Sequence, residues 1–421
     1  MQRSNSGKEA SVYAWIILTV LFVGLVASFG MRASFGAYVS PWEKEFSVGR
    51  TVVTSISMLS FAMFAVGQPL AGKLNDYFGK GIVPTVSILL AGLSLLLASR
   101  ASELWQVFVL FGMGFSLGAA GCSNTVASAI ITNWFTARRG FAIGLVTSGM
   151  AAGQLILVPV NLFIIDKLGW RTAMLALSII IIVVMGPLYI FLLRSKPEEK
   201  GLKPYGYAES ANIADNANNT AAATGALKSL PIWHIFKLKV FWQLAIPYFV
   251  CGFTDVGMIQ THLIPLSEGK GIPAASVAIA FTLIAIPSFA GTIITGHLSD
   301  HISRTRQLAV IYAFRAVTYV FLITLRQPWL LLVFAVTYGI VESASIAPTS
   351  SLAVQLFGGY STGTMLGIIT VSHQIGGAFG SWIPGILYDL TGSYTLILSL
   401  SILMLLAGAM IVLRIPNLKN E

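Results

Sequence analysis

Twelve apolar stretches, approximately 15–38, 51–71, 82–99, 104–130, 140–165, 172–193, 241–266, 275–298, 308–325, 328–356, 362–388 and 394–413, occupy most of the 421 residues. Each is near or above the roughly 17–20 residues that a helix needs to cross about 30 Å of hydrocarbon. The stretches are continuously apolar, which excludes a transmembrane β-barrel, whose strands alternate residue by residue. Helices then remain as the way to satisfy the backbone in lipid. At 56% hydrophobic and 10% charged the chain carries more apolar surface than a soluble fold can cover. The first stretch is too long for a signal-peptide core and lacks a small-residue cleavage site, so it reads as a retained helix. The expectation is an all-α, multi-pass membrane protein with the lipid bilayer as its solvent.

The chain also repeats itself. Gly72-Lys-Leu-Asn-Asp-Tyr-Phe-Gly-Lys-Gly81 is echoed 224 residues later by Gly296-His-Leu-Ser-Asp-His301, each directly after a long apolar stretch. Pro41 answers to Pro265 at 224 residues, while Asp166-Lys-Leu-Gly169 answers to Asp389-Leu-Thr-Gly392, and Gly140 and Gly144 to Gly363 and Gly367, at 223. Two parallel six-helix halves follow, and internal symmetry of this kind is a transporter signature. The expected division is a first half over 1–193, a linker over 194–238 and a second half over 239–421.

Lys and Arg set the orientation. With both termini in the cytoplasm, seventeen of the 26 fall on the cytoplasmic side, seven in the outer loops, and two, Arg32 and Arg315, within spans. The net charge of +10 therefore reflects topology and contact with anionic lipid, and does not call for nucleic acid. Cys122 and Cys251 both fall inside spans, so no disulfide framework is implied. Residues 194–238 lose the apolar character, and their Ala, Asn and Thr content reads as a flexible cytoplasmic tether, with Pro231 to Lys239 a short interfacial helix.

Both copies of the repeated motif lie in cytoplasmic turns, between spans two and three and between spans eight and nine. There a Gly ends a helix and an acid stands beside bases: Gly72, Asp76, Gly79 and Lys80 in the first copy, Asp300 and Arg304 in the second. Such a carboxylate can cap the next helix and pair with loop arginines, Arg138 and Arg139 before span five included, forming a latch that holds one access state. A turn that only sets topology is the alternative; two copies in register favour the latch.

With these residues the chain resembles the major facilitator superfamily, whose Gly-x-Leu-x-Asp-x-x-Gly-[Lys/Arg] loop is matched by Gly72, Leu74, Asp76, Gly79 and Lys80. The second copy keeps Gly296, Leu298 and Asp300 but has Ser303 in place of the later Gly. Asn133-Trp-Phe135 with Arg138-Arg-Gly140, Gly169-Trp-Arg171 and Tyr388-Asp-x-x-Gly392-Ser-Tyr394 resemble the branch of monocarboxylate transporters and oxalate/formate antiporters. The resemblance implies twelve helices in two halves and a small organic anion as cargo. The charged residues that this branch carries in span eight are absent here, and span eleven offers His373, so substrate identity does not transfer.

An ionised side chain at mid-bilayer costs at least about 2.5–3.5 kcal/mol and needs a partner or a wet cavity. Arg32, Asp255, Arg315 and Glu342 are in that position. Arg32 has Ser28 and Gly36 at i−4 and i+4, a small-residue face that would give its planar fork room to hold a carboxylate; snorkelling to outer headgroups is the other reading. Asp255, near the middle of span seven, is a proton site or the partner of a permanent salt bridge. Glu342 is a second proton-coupling candidate, or it pairs with Arg315 on the neighbouring span. His373 and Gln374 in span eleven and Gln154 in span five are candidates for the substrate cavity, joined by Tyr38 at the outer end of span one. His262, at the outer end of span seven, reads equally as a gate or an interfacial anchor.

No phosphate-cradling loop and no His/Cys spacing typical of a metal site is present, so neither an enzyme nor a bound cofactor or metal is expected. The expected function is secondary active transport of a small organic anion, a monocarboxylate by resemblance, across the cell membrane by alternating access, with proton symport and as a monomer. An exporter of amphipathic, drug-like compounds and a transporter-shaped sensor are the alternatives.

Overall fold

The computed structural model describes residues 2–79, 81–207, 232–357 and 362–416. These residues form twelve helical segments, here α1 to α12. The first half contains α1 (Gln2–Ala33, continuing after a short turn as Gly36–Phe46), α2 (Arg50–Phe78), α3 (Ile82–Ala98), α4 (Leu104–Trp134), α5 (Arg139–Leu168) and α6 (Trp170–Leu192). The second contains α7 (239–269), α8 (Ala274–His301), α9 (Arg304–Ile323), α10 (Pro328–Leu356), α11 (Thr362–Thr391) and α12 (Thr395–Leu413). Nine of them are long and apolar enough to cross a membrane on length and composition alone; α3 is a shorter apolar helix. Large apolar side chains such as Val66, Phe163, Val310 and Leu403 are exposed along these helices, as lipid-facing surfaces require.

The helix boundaries follow local chemistry. Gly79 and Gly81 turn the chain between α2 and α3 at positive φ, where a Cβ would be strained. Gly169 and Gly392, at equivalent repeat positions, do the same at φ 83° and 66° between α5 and α6 and between α11 and α12. Pro328 opens α10, and Glu103 with Gln106 forms a capping box at the start of α4.

By internal contacts the chain divides into two compact units. One comprises Met1–Arg32, Met63–Gly153 and Arg171–Lys228; the other comprises Ala33–Ala62, Gln154–Trp170 and Ser229–Glu421. In the first, α3 packs on α4 and α6, and in the second, α8 packs on α10, α9 on α12, and α7 on α11.

Glycine permits the tightest of these crossings. A Cβ at Gly149 or Gly153 of α5 would collide with the Phe22 and Val26 carbonyls of α1. A Cβ at Gly376 or Gly380 of α11 would collide with the Phe249 and Phe253 carbonyls of α7. By the repeat, α1 and α7 are equivalent, as are α5 and α11, so the duplicated sequence makes the same backbone-to-backbone crossing twice. In lipid, where apolar burial drives little association, such small-residue contacts hold helices together.

The start of the linker is not a free tether. Ser195 Oγ accepts from the Gly81 amide (2.9 Å) and donates to Asn75 Oδ1 (3.2 Å), while Asn133 Nδ2 donates to the Ser195 carbonyl (3.1 Å). Trp134 Nε1 donates to the Arg194 carbonyl (2.8 Å), and the Tyr205 amide donates to the Trp134 carbonyl (2.8 Å). Residues 194–205 are thus stapled over the α2–α3 and α4–α5 turns, correcting the expectation of flexibility for this part. Residues 208–231 lie outside the described residues, and Ile232–Lys237 forms the short helical entry to α7 expected from the sequence.

Candidate functional site

In the second half, α7 relaxes into a π-helix over Phe253–Ile259, and Asp255 sits on it. The close α7–α11 crossing brings the His373 backbone against Gly252, so that one ligating atom each of Cys251, Asp255 and His373 lies within 4.8 Å of the others. Tyr338 on α10 donates to Asp255 Oδ1 at 2.8 Å, and the ring of Tyr248 lies 4.7 Å from that of His373. The π-turn also turns the Thr254 carbonyl toward α9, where Tyr319 Oη donates to it. Widened turns of this kind recur where a helix carries function.

Arg315 on α9 is wholly buried. Its Nη1 donates to Cys251 Sγ (3.1 Å), and its Nη2 donates to the carbonyls of Val341 (2.6 Å) and Glu342 (2.7 Å). Those carbonyls are available because α10 breaks at residues 343–345, between Pro328–Glu342 and Ile346–Leu356. The expected Arg315–Glu342 pair therefore forms through the Glu342 backbone, and its carboxylate turns elsewhere, accepting from Gln154 Nε2 at 3.1 Å. A guanidinium 3.1 Å from the Cys251 sulfur disfavours a metal cation in the Cys251–Asp255–His373 cluster, because the two positive charges would compete for the same ligands.

The structure thus brings Asp255 together with His373, and Gln154 with Glu342. The remaining candidates fall elsewhere. Arg32 is half-buried, with its guanidinium carbon 3.6 Å from the centre of the Phe64 ring, a cation–π contact. Its small neighbours do not simply leave room for it: Ser28 donates to the Cys122 carbonyl at 3.5 Å, and a Cβ on Gly36 would strike the Gln260 and Thr261 carbonyls. Tyr38 is fully buried and donates to Asn161 Oδ1 at 2.8 Å, with Asn161 Nδ2 donating in turn to Ser34. Gln374 is half-buried, and its Oε1 has no hydrogen-bond partner among the described residues.

Of the proposed latch, Lys80 lies outside the described residues, as do the side chains of Asp76 and Asp300. Gly72 has open space where a Cβ would lie, and Gly79 turns at φ 58°. Arg138 adopts φ 55°, Arg139 donates to the Phe135 carbonyl (3.0 Å), and Arg304 donates to Gln355 (2.7 Å). Gly114-Phe-Ser-Leu-Gly118 has the spacing of a nucleophile elbow, but Ser116 lies inside α4, fully buried, donating to the Phe111 carbonyl at 3.1 Å. It lacks the exposed strand-to-helix turn that such a nucleophile needs.

The family model of the Major Facilitator Superfamily matches residues 20–328 and 251–421. This chain belongs to that superfamily. The uncharacterized MFS-type transporter YcxA of Bacillus subtilis (strain 168) is 24% identical over 97% of this chain and 96% of its own length. Monocarboxylate transporter 13 of Rattus norvegicus is 23% identical over 96% of this chain and 89% of its own, and human monocarboxylate transporter 11 is 25% identical over 99% and 86%. Among solved structures, a D-xylose-proton symporter superposes with a TM-score of 0.74 at 14% identity, covering 97% of this chain and 99% of that one.

The superfamily fold, twelve transmembrane helices in two pseudo-symmetric six-helix halves, gives the helix breaks a meaning. α4 is interrupted at Cys122–Ser123 and α10 at 343–345, equivalent positions in the two halves. Broken helices recur in secondary carriers, and here the carbonyls freed at the α10 break are taken by Arg315. The sequence signals are small and polar, Gly121-Cys-Ser-Asn124 and Glu342-Ser-Ala-Ser345, and carry no Pro; that is why hydropathy alone passes over them. Cys251, Tyr338 and Tyr319 are missed in sequence for a similar reason, since each looks like ordinary membrane-helix content.

Proposed function

We propose that this superfamily member is a secondary active transporter of a small organic anion, a monocarboxylate by kinship, that moves its cargo across the cell membrane with protons by alternating access. In this reading residues 1–193 and 239–421 are the two moving halves, 194–238 joins them, both termini are cytoplasmic, and the protein acts as a monomer. One observation carries it: Asp255 is a buried carboxylate on a π-turn, held by Tyr338 and clustered with His373, while the nearby Arg315 is committed to Cys251 and to the α10 break. An acid kept in the membrane with a neutral donor as its partner can exchange a proton when water reaches it, whereas a salt-bridged acid resists protonation. Glu342, held by the neutral amide of Gln154, has the same character.

In this reading Arg32, Tyr38, Gln154, His373 and Gln374 are the candidate cargo-binding residues, and His373 is the one that shares the Asp255 cluster. The names of monocarboxylate transporters among the relatives support the cargo class. Export of amphipathic compounds is the second reading, favoured by the stacking of Arg32 on Phe64, which suits a structural role. Proteoliposomes containing a pH-sensitive dye and challenged with short monocarboxylates test the choice. Internal acidification that is lost in Arg32→Ala and Asp255→Asn supports proton-coupled anion transport, and no response to any acid from the wild-type protein refutes it.

A further inference from the structure

The Tyr388-Asp389 motif is not used by the proposed transport site, yet the structure gives it a specific partner. Asp389, at the end of α11 in the second half, accepts from the Arg50 amide (3.0 Å), the Thr51 amide (2.8 Å) and Thr51 Oγ1 (2.6 Å) at the start of α2 in the first half. A carboxylate there satisfies orphan amides of the first helical turn and complements its dipole. The cap comes from the other repeat, 338 residues away from Thr51.

The same contact is reinforced around Arg50, which is 7% exposed. Its guanidinium clamps Glu43 through two bonds of 2.6 and 2.9 Å, lies 3.9 Å from the centre of the Tyr388 ring and donates to Tyr394 Oη (3.1 Å). Tyr394 Oη in turn lies 2.9 Å from His262 Nδ1, and His262 Nε2 lies 2.7 Å from the Ser381 carbonyl. A carbonyl can only accept, so Nε2 carries a proton and, in the neutral ring, Tyr394 donates to Nδ1. Deeper along α2, Ser57 meets Thr261 of α7 at 3.3 Å. Gly49 lies so close that a Cβ there would stand 2.8 Å from Asp389 Oδ2.

We infer that the Asp389 cap on α2 is a closing bolt: it holds this end of the two repeats together in the state described here and must release whenever that end opens during alternating access. The inference goes beyond the proposed cargo and applies whatever the transporter carries. Charge-assisted hydrogen bonds are directional, so separating the repeats here breaks all three, two from amides and one from a hydroxyl, at once.

Cysteine accessibility in the full-length protein in nanodiscs tests this without a substrate. Ser57→Cys serves as reporter, being 3% exposed behind the bolt, and Ser401→Cys, fully buried within α12, serves as the control for general loosening. Maleimide labelling is corrected for the parent, whose Cys122 and Cys251 are buried. Asp389→Ala is expected to raise the labelling rate at position 57 roughly tenfold, the effect of losing a helix cap. Gly49→Ala, which crowds the carboxylate without removing it, is expected to act in the same direction, and Asp389→Asn, which keeps one acceptor oxygen but loses the charge and the second acceptor, is expected to fall between the parent and Asp389→Ala. Unchanged labelling at 57 in both alanine variants, or an equal rise at 401, would overturn the bolt and leave Asp389 a local structural cap.

Discussion

At the scale of single residues, the question for each intramembrane charge is what its partner permits. Asp255 is held by a phenol, Tyr338, and is the proton site in the proposed transport reading. Asp255→Asn should therefore keep the fold while abolishing proton-coupled flux, read as lost dye acidification with an unchanged thermal midpoint. Tyr338→Phe should weaken coupling less, since it removes only one hydrogen bond to the carboxylate, worth about 1.5–3 kcal/mol. Arg315 plays a different part, because it satisfies two carbonyls left open by the α10 break. Arg315→Met should destabilise by about 1–3 kcal/mol for each group stranded, seen as a lowered midpoint in a detergent unfolding scan. A full-strength variant would show that water replaces the guanidinium and that the break needs no cation.

At the scale of elements, helix crossings and helix breaks are the two devices that shape the second half. The α7–α11 crossing has no space for side chains, since Cβ atoms at Gly252, Gly376 and Gly380 would all overlap the opposing backbone. Gly376→Val should cost at least the roughly 1–3 kcal/mol typical of overpacking and should displace His373 from Asp255. Lower thermal stability with impaired flux is the expected pair of results. By contrast, Gly72→Ala meets open space and should leave stability within about 0.5 kcal/mol. The glycines of this chain are thus not equivalent: some are contact surfaces, while Gly72 lies within α2 and meets nothing.

At the scale of the whole molecule, the distribution of Lys and Arg predicts sidedness. A cysteine placed at Asn216 should react with an impermeant maleimide only after cells are permeabilised, and one at Ser102 should react in intact cells; the reverse pattern would invert the topology. The sequence alone determined the membrane class, the twelve spans, the duplication and the superfamily motif. These depend on hydropathy, length and spacing, which are properties of contiguous residues. It also singled out Asp255, Glu342, His373 and Gln154, because a polar group in an apolar run is conspicuous by itself. Only the tertiary structure decided the pairings: Gln154 with Glu342, Asp255 with Tyr338 and His373, Arg315 with the α10 backbone, and Asp389 with the start of α2. Those depend on helix rotation and on backbone approach at glycines hundreds of residues apart, and a one-dimensional pattern does not encode which faces meet.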